Sequence, residues 1–262
     1  RSVFECQGCV KGYYCPLAGT VMATRLCPAG YYCPSNTSNP ADFDDLTCPR
    51  GSYCPLGSDF PIPCTPGSYQ DERGNDTCKS CPLGKYCEVN TTSPMDCPAG
   101  HYCPMNTEYG TQYKCPNGTY SNVTLRESES DCEECTPGMY CGSGALLGPT
   151  GLCSAGYFCG GGSSVSTPHD SDGFHVSYSG ETCVDVSNST MNDICPPGHY
   201  CPEGSPSPVP CPPGTNTSST GLRSVLECQG CVKGYYCPLA GTVMATRLCP
   251  AVYYCPSNTS NP

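Results

Sequence analysis

Hydrophobic positions are sparse along these 262 residues and rarely keep a regular spacing. Leu, Ile, Val and Phe together number 34, about an eighth of the chain, too few for the apolar core of an ordinary globular domain. No apolar run approaches the roughly 18 to 20 residues that span a bilayer. Alternation shows in FHVSY-SG-ETCVDV, residues 174–186, which predicts a hairpin of two short strands around Ser179-Gly180. Little or no helix is expected.

The pattern that does recur is a cysteine word, C-x-x-G-x-[YF]-C. It begins at Cys9, Cys27, Cys48, Cys81, Cys97, Cys135, Cys153, Cys195 and Cys231. A tenth copy, CPAVYYC at Cys249, carries Val252 in the glycine position. Half-words at Cys64, Cys115 and Cys211 lack the closing cysteine, and each leads into a C-x-x-C. Proline after the first cysteine presets φ and glycine two residues later supplies a conformation other residues resist, so C-P-x-G predicts a tight turn. The aromatic before the closing cysteine (Tyr14, Tyr32, Tyr53, Tyr86, Tyr102, Tyr140, Phe158, Tyr200, Tyr236, Tyr254) reads as packing beside a disulfide, its phenol reaching water or backbone. Val252 poses an alternative: either the word's glycine has ordinary φ, or the last copy is locally altered, because a β-branched residue is an outlier at positive φ. The run SPSPVP, Ser205 to Pro210, predicts extended polyproline II.

Composition explains how so little grease could hold a fold. The chain has 28 cysteines, 30 glycines and 29 prolines, the signature of a disulfide scaffold and of an oxidising, secretory compartment. Eight N-x-S/T sequons, at Asn36, Asn75, Asn90, Asn117, Asn122, Asn188, Asn216 and Asn258, predict N-linked glycans. A net charge of -11 argues against nucleic acid or an anionic membrane as partner, since both need a basic patch. Residues 1–40 return at 223–262 with two changes, Phe4 to Leu226 and Gly30 to Val252, a period of 222 residues; such near-identity marks an array of units contacting their neighbours.

The order half-word, C-x-x-C, word, word resembles the ephrin-receptor-like cysteine-rich repeat, a relative of tumour-necrosis-factor-receptor modules. Cys115, Cys132, Cys135, Cys141, Cys153 and Cys159 carry the resemblance best; Cys64, Cys78, Cys81, Cys87, Cys97, Cys103 and Cys211, Cys228, Cys231, Cys237, Cys249, Cys255 repeat it. The resemblance implies the bridges Cys64–Cys78, Cys81–Cys97 and Cys87–Cys103, then Cys115–Cys132, Cys135–Cys153 and Cys141–Cys159, then Cys211–Cys228, Cys231–Cys249 and Cys237–Cys255. Six cysteines allow fifteen pairings, so spacing does not decide among them. The expected fold is small and disulfide-rich, an elongated rod of tandem modules with short hairpins. Its parts are a partial module with extra words (1–63), modules at 64–114 and 115–159, a Gly/Ser linker and hairpin insert (160–194), and a module repeating the chain's start (195–262). Between Cys6 and Cys64 there are three words instead of two, so a varied pairing, local pairing included, is open there. One period, residues 1–222, holds 23 cysteines; an odd number implies an unpaired or interchain thiol, for which Cys183, outside every word and C-x-x-C, is the candidate.

Chemistry finds little footing. The C-x-x-C pairs at Cys6, Cys78, Cys132 and Cys228 read as disulfide cysteines, not zinc ligands, because oxidised thiols do not ligate. Asp170, Asp172 and Glu181 sit at positions 1, 3 and 12 of a calcium loop, but Phe174 and His175 occupy positions that need a ligand and a glycine. His101, His169, His175 and His199 have no acid or nucleophile at a recognisable spacing. The expectation is therefore a non-enzymatic, secreted or cell-surface glycoprotein without cofactor or metal, self-associating as the repeat unit of an extracellular filament, stalk or surface fibre. The alternative is the ligand-binding ectodomain of a receptor, which would need aromatic or arginine anchors.

Overall fold

The computed structural model describes residues 8–17, 25–169 and 192–262. The hairpin expected at 174–186, the imperfect calcium loop, Cys6, Cys183 and Asn188 lie outside the described residues.

Each word folds as a turn that closes on itself. Tyr31 N donates to Pro28 O at 3.1 Å, Ser52 N to Pro49 O at 3.3 Å and His199 N to Pro196 O at 3.2 Å. The glycine at the third turn position is left-handed throughout, for example +85° at Gly30, +79° at Gly51 and +92° at Gly156, as such a turn demands. Folding back brings the first and closing cysteines of one word to Cα separations of 5.7 Å at Cys27–Cys33 and 5.8 Å at Cys97–Cys103, the ordinary span of a disulfide.

The bridges follow from this local geometry. The half-words form Cys64–Cys78, Cys115–Cys132 and Cys211–Cys228, the three bridges that the resemblance implied for them. The other six implied pairings, Cys81–Cys97, Cys87–Cys103, Cys135–Cys153, Cys141–Cys159, Cys231–Cys249 and Cys237–Cys255, are replaced by bridges within words: Cys81–Cys87, Cys97–Cys103, Cys135–Cys141, Cys153–Cys159, Cys231–Cys237 and Cys249–Cys255. Cys9–Cys15, Cys27–Cys33, Cys48–Cys54 and Cys195–Cys201 obey the same rule. A turn that presents both sulfurs at bonding distance leaves none for a distant word. In the half-words the closing position holds Gln70, Ser121 or Thr217, all buried, and the first cysteine reaches the next one along the chain. A bridge between residues six apart contributes about 2 kcal/mol by chain entropy, against about 3 kcal/mol for the longer loops.

The pair of residues before a closing cysteine runs antiparallel to the pair before the next word. Tyr13–Tyr14 pairs with Arg25–Leu26, Lys85–Tyr86 with Met95–Asp96, and Tyr235–Tyr236 with Arg247–Leu248. Val209–Pro210 pairs with His199–Tyr200, so SPSPVP ends as an edge strand instead of continuing as polyproline II. Because the strands lie next to the words, the segments between them vary in length without changing the pairing; Tyr157–Cys159 meets Asn192–Ile194 across the long insert. The described residues contain no α-helix, only short 3₁₀ turns such as Pro40–Asp42 and Glu129–Asp131.

Leu222, Pro40 and Pro168 apart, the buried apolar side chains of the described residues are half-cystines. Sulfur takes the place of an aliphatic core, which is how a chain this poor in Leu, Ile and Val satisfies the need for a dry interior. The chain forms two units, Arg1–Lys114 with Val123–Asp131, and Cys115–Asn122 with Cys132–Pro262.

Candidate functional site

The recurrent surface of this protein is the face by which one word docks on the next. Between words 27–33 and 48–54, Gly30 N donates to Cys54 O and Cys48 N to Gly30 O, both at 2.9 Å. Cys33 N donates to Ser58 O at 2.9 Å, and Gly57 N to Cys27 O at 2.8 Å. The same four bonds join words 135–141 and 153–159: Gly138 N to Cys159 O, Cys153 N to Gly138 O, Cys141 N to Ser163 O, and Gly162 N to Cys135 O. Half-words keep the scheme through backbone alone, as in Gly51 N to Gln70 O at 2.8 Å and Gly198 N to Thr217 O at 2.9 Å. The closing residue therefore needs its main chain for docking and its sulfur only for the bridge.

The acceptor side of this face is a second turn, just after the closing cysteine. Ser58 donates both its backbone N–H and its hydroxyl to Pro55 O, at 3.1 and 2.7 Å. Thr107 and Ser205 do the same to Pro104 and Pro202. The residue before that hydroxyl is left-handed: Asn36, Gly57, Asn90, Asn106, Gly204 and Asn258 all have φ between 60 and 84°. The chain spells this turn C-[PE]-x-[NG]-[ST], with Glu88 in place of proline before Asn90, a signal that cysteine spacing alone does not carry.

The carbonyl of that left-handed residue presses on the glycine two words earlier. A Cβ on Gly30 would lie 2.3 Å from Gly74 O; on Gly138, 2.4 Å from Gly204 O; on Gly198, 2.3 Å from Gly241 O. At Gly234 a Cβ would meet open space. The word glycine thus has two duties, a left-handed φ and room for a neighbouring carbonyl. Gly30 is at +85° and Val252 at +72°, which resolves the alternative: the turn needs positive φ, and the last copy retains that backbone with a β-branched side chain. Val252 accepts a left-handed cost of about 1–2 kcal/mol and is fully exposed.

The sequon asparagines divide by environment. Asn36, Asn90, Asn117, Asn122 and Asn258 are exposed, whereas Asn75 and Asn216 are half-buried. Asn36, Asn90 and Asn258 occupy the left-handed turn position that Asn106, which has no sequon, also fills. Asparagine tolerates αL better than other residues with a side chain, so these three have a conformational reason to be asparagine in addition to any glycan.

Charged pairs decorate the docking faces. Lys11 Nζ lies 2.9 Å from Asp59 Oδ2, and its hydrogen bond holds the Asp59 carboxyl below the ordinary value. Lys79 does the same for Asp71 at 2.6 Å and is itself raised by that bond. Asp131 is lowered by the backbone N–H groups of Ser128 and Glu127, both at 2.9 Å. Tyr102 stacks on Tyr113 with ring centroids 5.5 Å apart; burial, then the Glu129 charge, push its phenol up.

No group of three His, Cys, Asp or Glu among the described residues could hold a metal ion. Cys78, Cys81, Cys132, Cys135, Cys228 and Cys231 are all bridged. His101 Nδ1 lies 3.2 Å from Ala99 O and His199 Nδ1 3.0 Å from Pro197 O, while His169 Nδ1 stands 3.6 Å from Asp193. No described helix is long and apolar enough to cross a membrane. The thirteen bridges use every described cysteine, a degree of oxidation that fits an extracellular or secreted protein. No protein-family model matches this chain, and no curated protein matches it.

Proposed function

We propose that this chain is a structural, N-glycosylated protein of the cell exterior, a repeat unit of a filament, stalk or surface fibre. The observation that carries the reading is the uniform docking face. The same four backbone bonds join successive words whether nine residues separate them, as between Cys54 and Cys64, or thirty-five, as between Cys159 and Cys195. An array built this way lengthens by adding words, with no core to enlarge, and each bridge within a word protects that word separately. The 222-residue period adds a reason to keep distant copies alike, since lattice contacts require the same surface at every repeat. The likeness of the cysteine spacing to ephrin-receptor-like repeats is compatible with such a role. Electron microscopy of the native material is the test: an axial repeat that corresponds to one 222-residue period supports the proposal, and single molecules dispersed on a membrane refute it.

A further inference from the structure

Thirteen turns of the word type stand along the chain, ten words and three half-words. Twelve of them place an aromatic ring at the sixth position, including the half-words at Cys64 and Cys115, which use Tyr69 and Tyr120; the half-word at Cys211 places Asn216 there. Both half-word tyrosines are half-buried. What the ring does is clearest at Tyr140, which lies over its cross-strand partner Gly151 and over Gly142. A Cβ on Gly151 would stand 3.3 Å from the ring Cε1, and one on Gly142 3.2 Å from Cε2. The Tyr86 ring covers Gly110 in the same manner, with a Cβ there 2.8 Å from Cε1. The ring is a cover laid along a strand pair only two residues long, and cross-strand contact of this kind stabilises such a pair.

Asn216 occupies the same place in the same kind of pair. Thr215–Asn216 runs antiparallel to Gln229–Gly230, with Asn216 opposite Gln229; Asn216 is half-buried and Gln229 exposed. Its half-word is docked as fully as the one at Cys115. Gly214 N donates to Cys237 O and Thr217 N to Thr242 O, as Gly118 N does to Cys141 O and Ser121 N to Leu146 O. A Cβ on Gly214 would lie 2.5 Å from Asn258 O, as one on Gly118 would lie 2.4 Å from Gly162 O. What differs is the missing ring, because an asparagine is too short to lie across Gln229 as a tyrosine does. Asn216-Thr217-Ser218 is also a sequon, and its hydroxyl residue, Ser218, is exposed. The Asn216 amide carries two hydrogens: Nδ2 donates one to Val243 O at 3.5 Å, and an N-linked sugar replaces the other. We infer that the first N-acetylglucosamine on Asn216 takes the part of the missing ring, the planar amide continuing into a pyranose whose C–H face covers the Gln229 stem. This glycan is a packing element of its half-word, whereas glycans on Asn117 and Asn122, in a half-word that has Tyr120, are additions to the surface. The inference rests on the reading of the chain as N-glycosylated and gives one of its sugars a task in the fold.

The test uses the full chain, secreted from eukaryotic cells with its bridges intact, and glycopeptide mass spectrometry reads the occupancy of each sequon. Ser218→Ala removes the sugar and leaves Asn216 in place, Asn216→Tyr removes the sugar and restores a ring, and Thr124→Ala removes the Asn122 sugar as the control. Native-state hydrogen exchange over residues 214–231 is expected to run about fivefold faster in Ser218→Ala than in wild type, and to return in Asn216→Tyr to within about twofold of wild type. Wild type trimmed by an endoglycosidase to its first sugar should keep its protection, and wild type stripped by an amidase should lose it. Thr124→Ala should leave exchange over 117–135 unchanged. An empty Asn216 beside occupied Asn117 and Asn122 overturns the inference and leaves the glycoprotein reading standing; no sugar at any sequon overturns both. Equal exchange in Ser218→Ala and wild type also overturns it, as does an equally large loss in Thr124→Ala, which would make the sugars general stabilisers. Should Ser218→Ala fail to be secreted, the trimmed and stripped wild type decide.

Discussion

Alanine at Gly198 and at Gly234 separates the two duties of the word glycine. Both residues are left-handed, at +78° and +84°, so either substitution incurs a conformational cost of about 1–2 kcal/mol. In the polypeptide of residues 1–262 nothing lies within reach of the new methyl at Gly234, so in that polypeptide the cost there is conformational alone. At Gly198 the methyl would lie 2.3 Å from Gly241 O and 2.9 Å from Gly241 C. Gly241 N is bonded to Cys211 O at 2.8 Å, so relief requires displacement of a bonded turn. Overpacking of this kind costs about 1–3 kcal/mol, and each ladder bond released along with it about 1 kcal/mol. We expect Gly198→Ala to exceed Gly234→Ala by about 2 kcal/mol, roughly a thirtyfold larger local opening constant. Because serial arrays lose strict two-state behaviour, the assay is native-state hydrogen exchange with mass spectrometry on peptides covering 195–217 and 231–255, bridges intact. Equal loss of protection at the two sites would refute the carbonyl contact and leave φ as the glycine's sole duty.

Further outcomes follow from the same geometry. Digestion without reduction should give bridges inside single words, Cys81–Cys87 apart from Cys97–Cys103; a peptide joining Cys81 to Cys97 would reinstate the receptor-type pairing. Thr107→Val should cost about 1–2 kcal/mol in local stability, since the Thr107 hydroxyl, 2.6 Å from Pro104 O, is buried; hydrogen exchange at Cys87 N, which donates to Thr107 O, reads it. Asp131→Ala should speed exchange at Glu127 and Ser128, whose N–H groups lose their acceptor, and leave the words at 195–255 unchanged. Asp59, Asp71 and Asp131 are all lowered on folding. Their stabilising effect is therefore complete above the unfolded value of about 3.9 and is lost as pH falls through the lower folded values. An exchange-corrected stability profile should be level near neutrality and decline in that acid range; a decline centred near pH 6.5 would point to histidine instead.

Residues alone settle much of this protein. Cysteine, glycine and proline counts exclude an aliphatic core, and C-P-x-G specifies its turn because proline and glycine limit φ before any tertiary contact forms. The words at Cys27, Cys48 and Cys195 therefore appear where their letters stand. Tertiary structure decided the partners. Spacing cannot distinguish Cys81–Cys87 from Cys81–Cys97; the turn does, by bringing two Cα atoms to 5.9 Å. Nor can sequence reveal that Gly30 makes room for the carbonyl of Gly74, because that contact joins residues forty-four apart whose approach is set by the ladder between them. Val252 is legible as an anomaly from its letter alone, and only the structure shows that its turn keeps the left-handed backbone that Gly30 has.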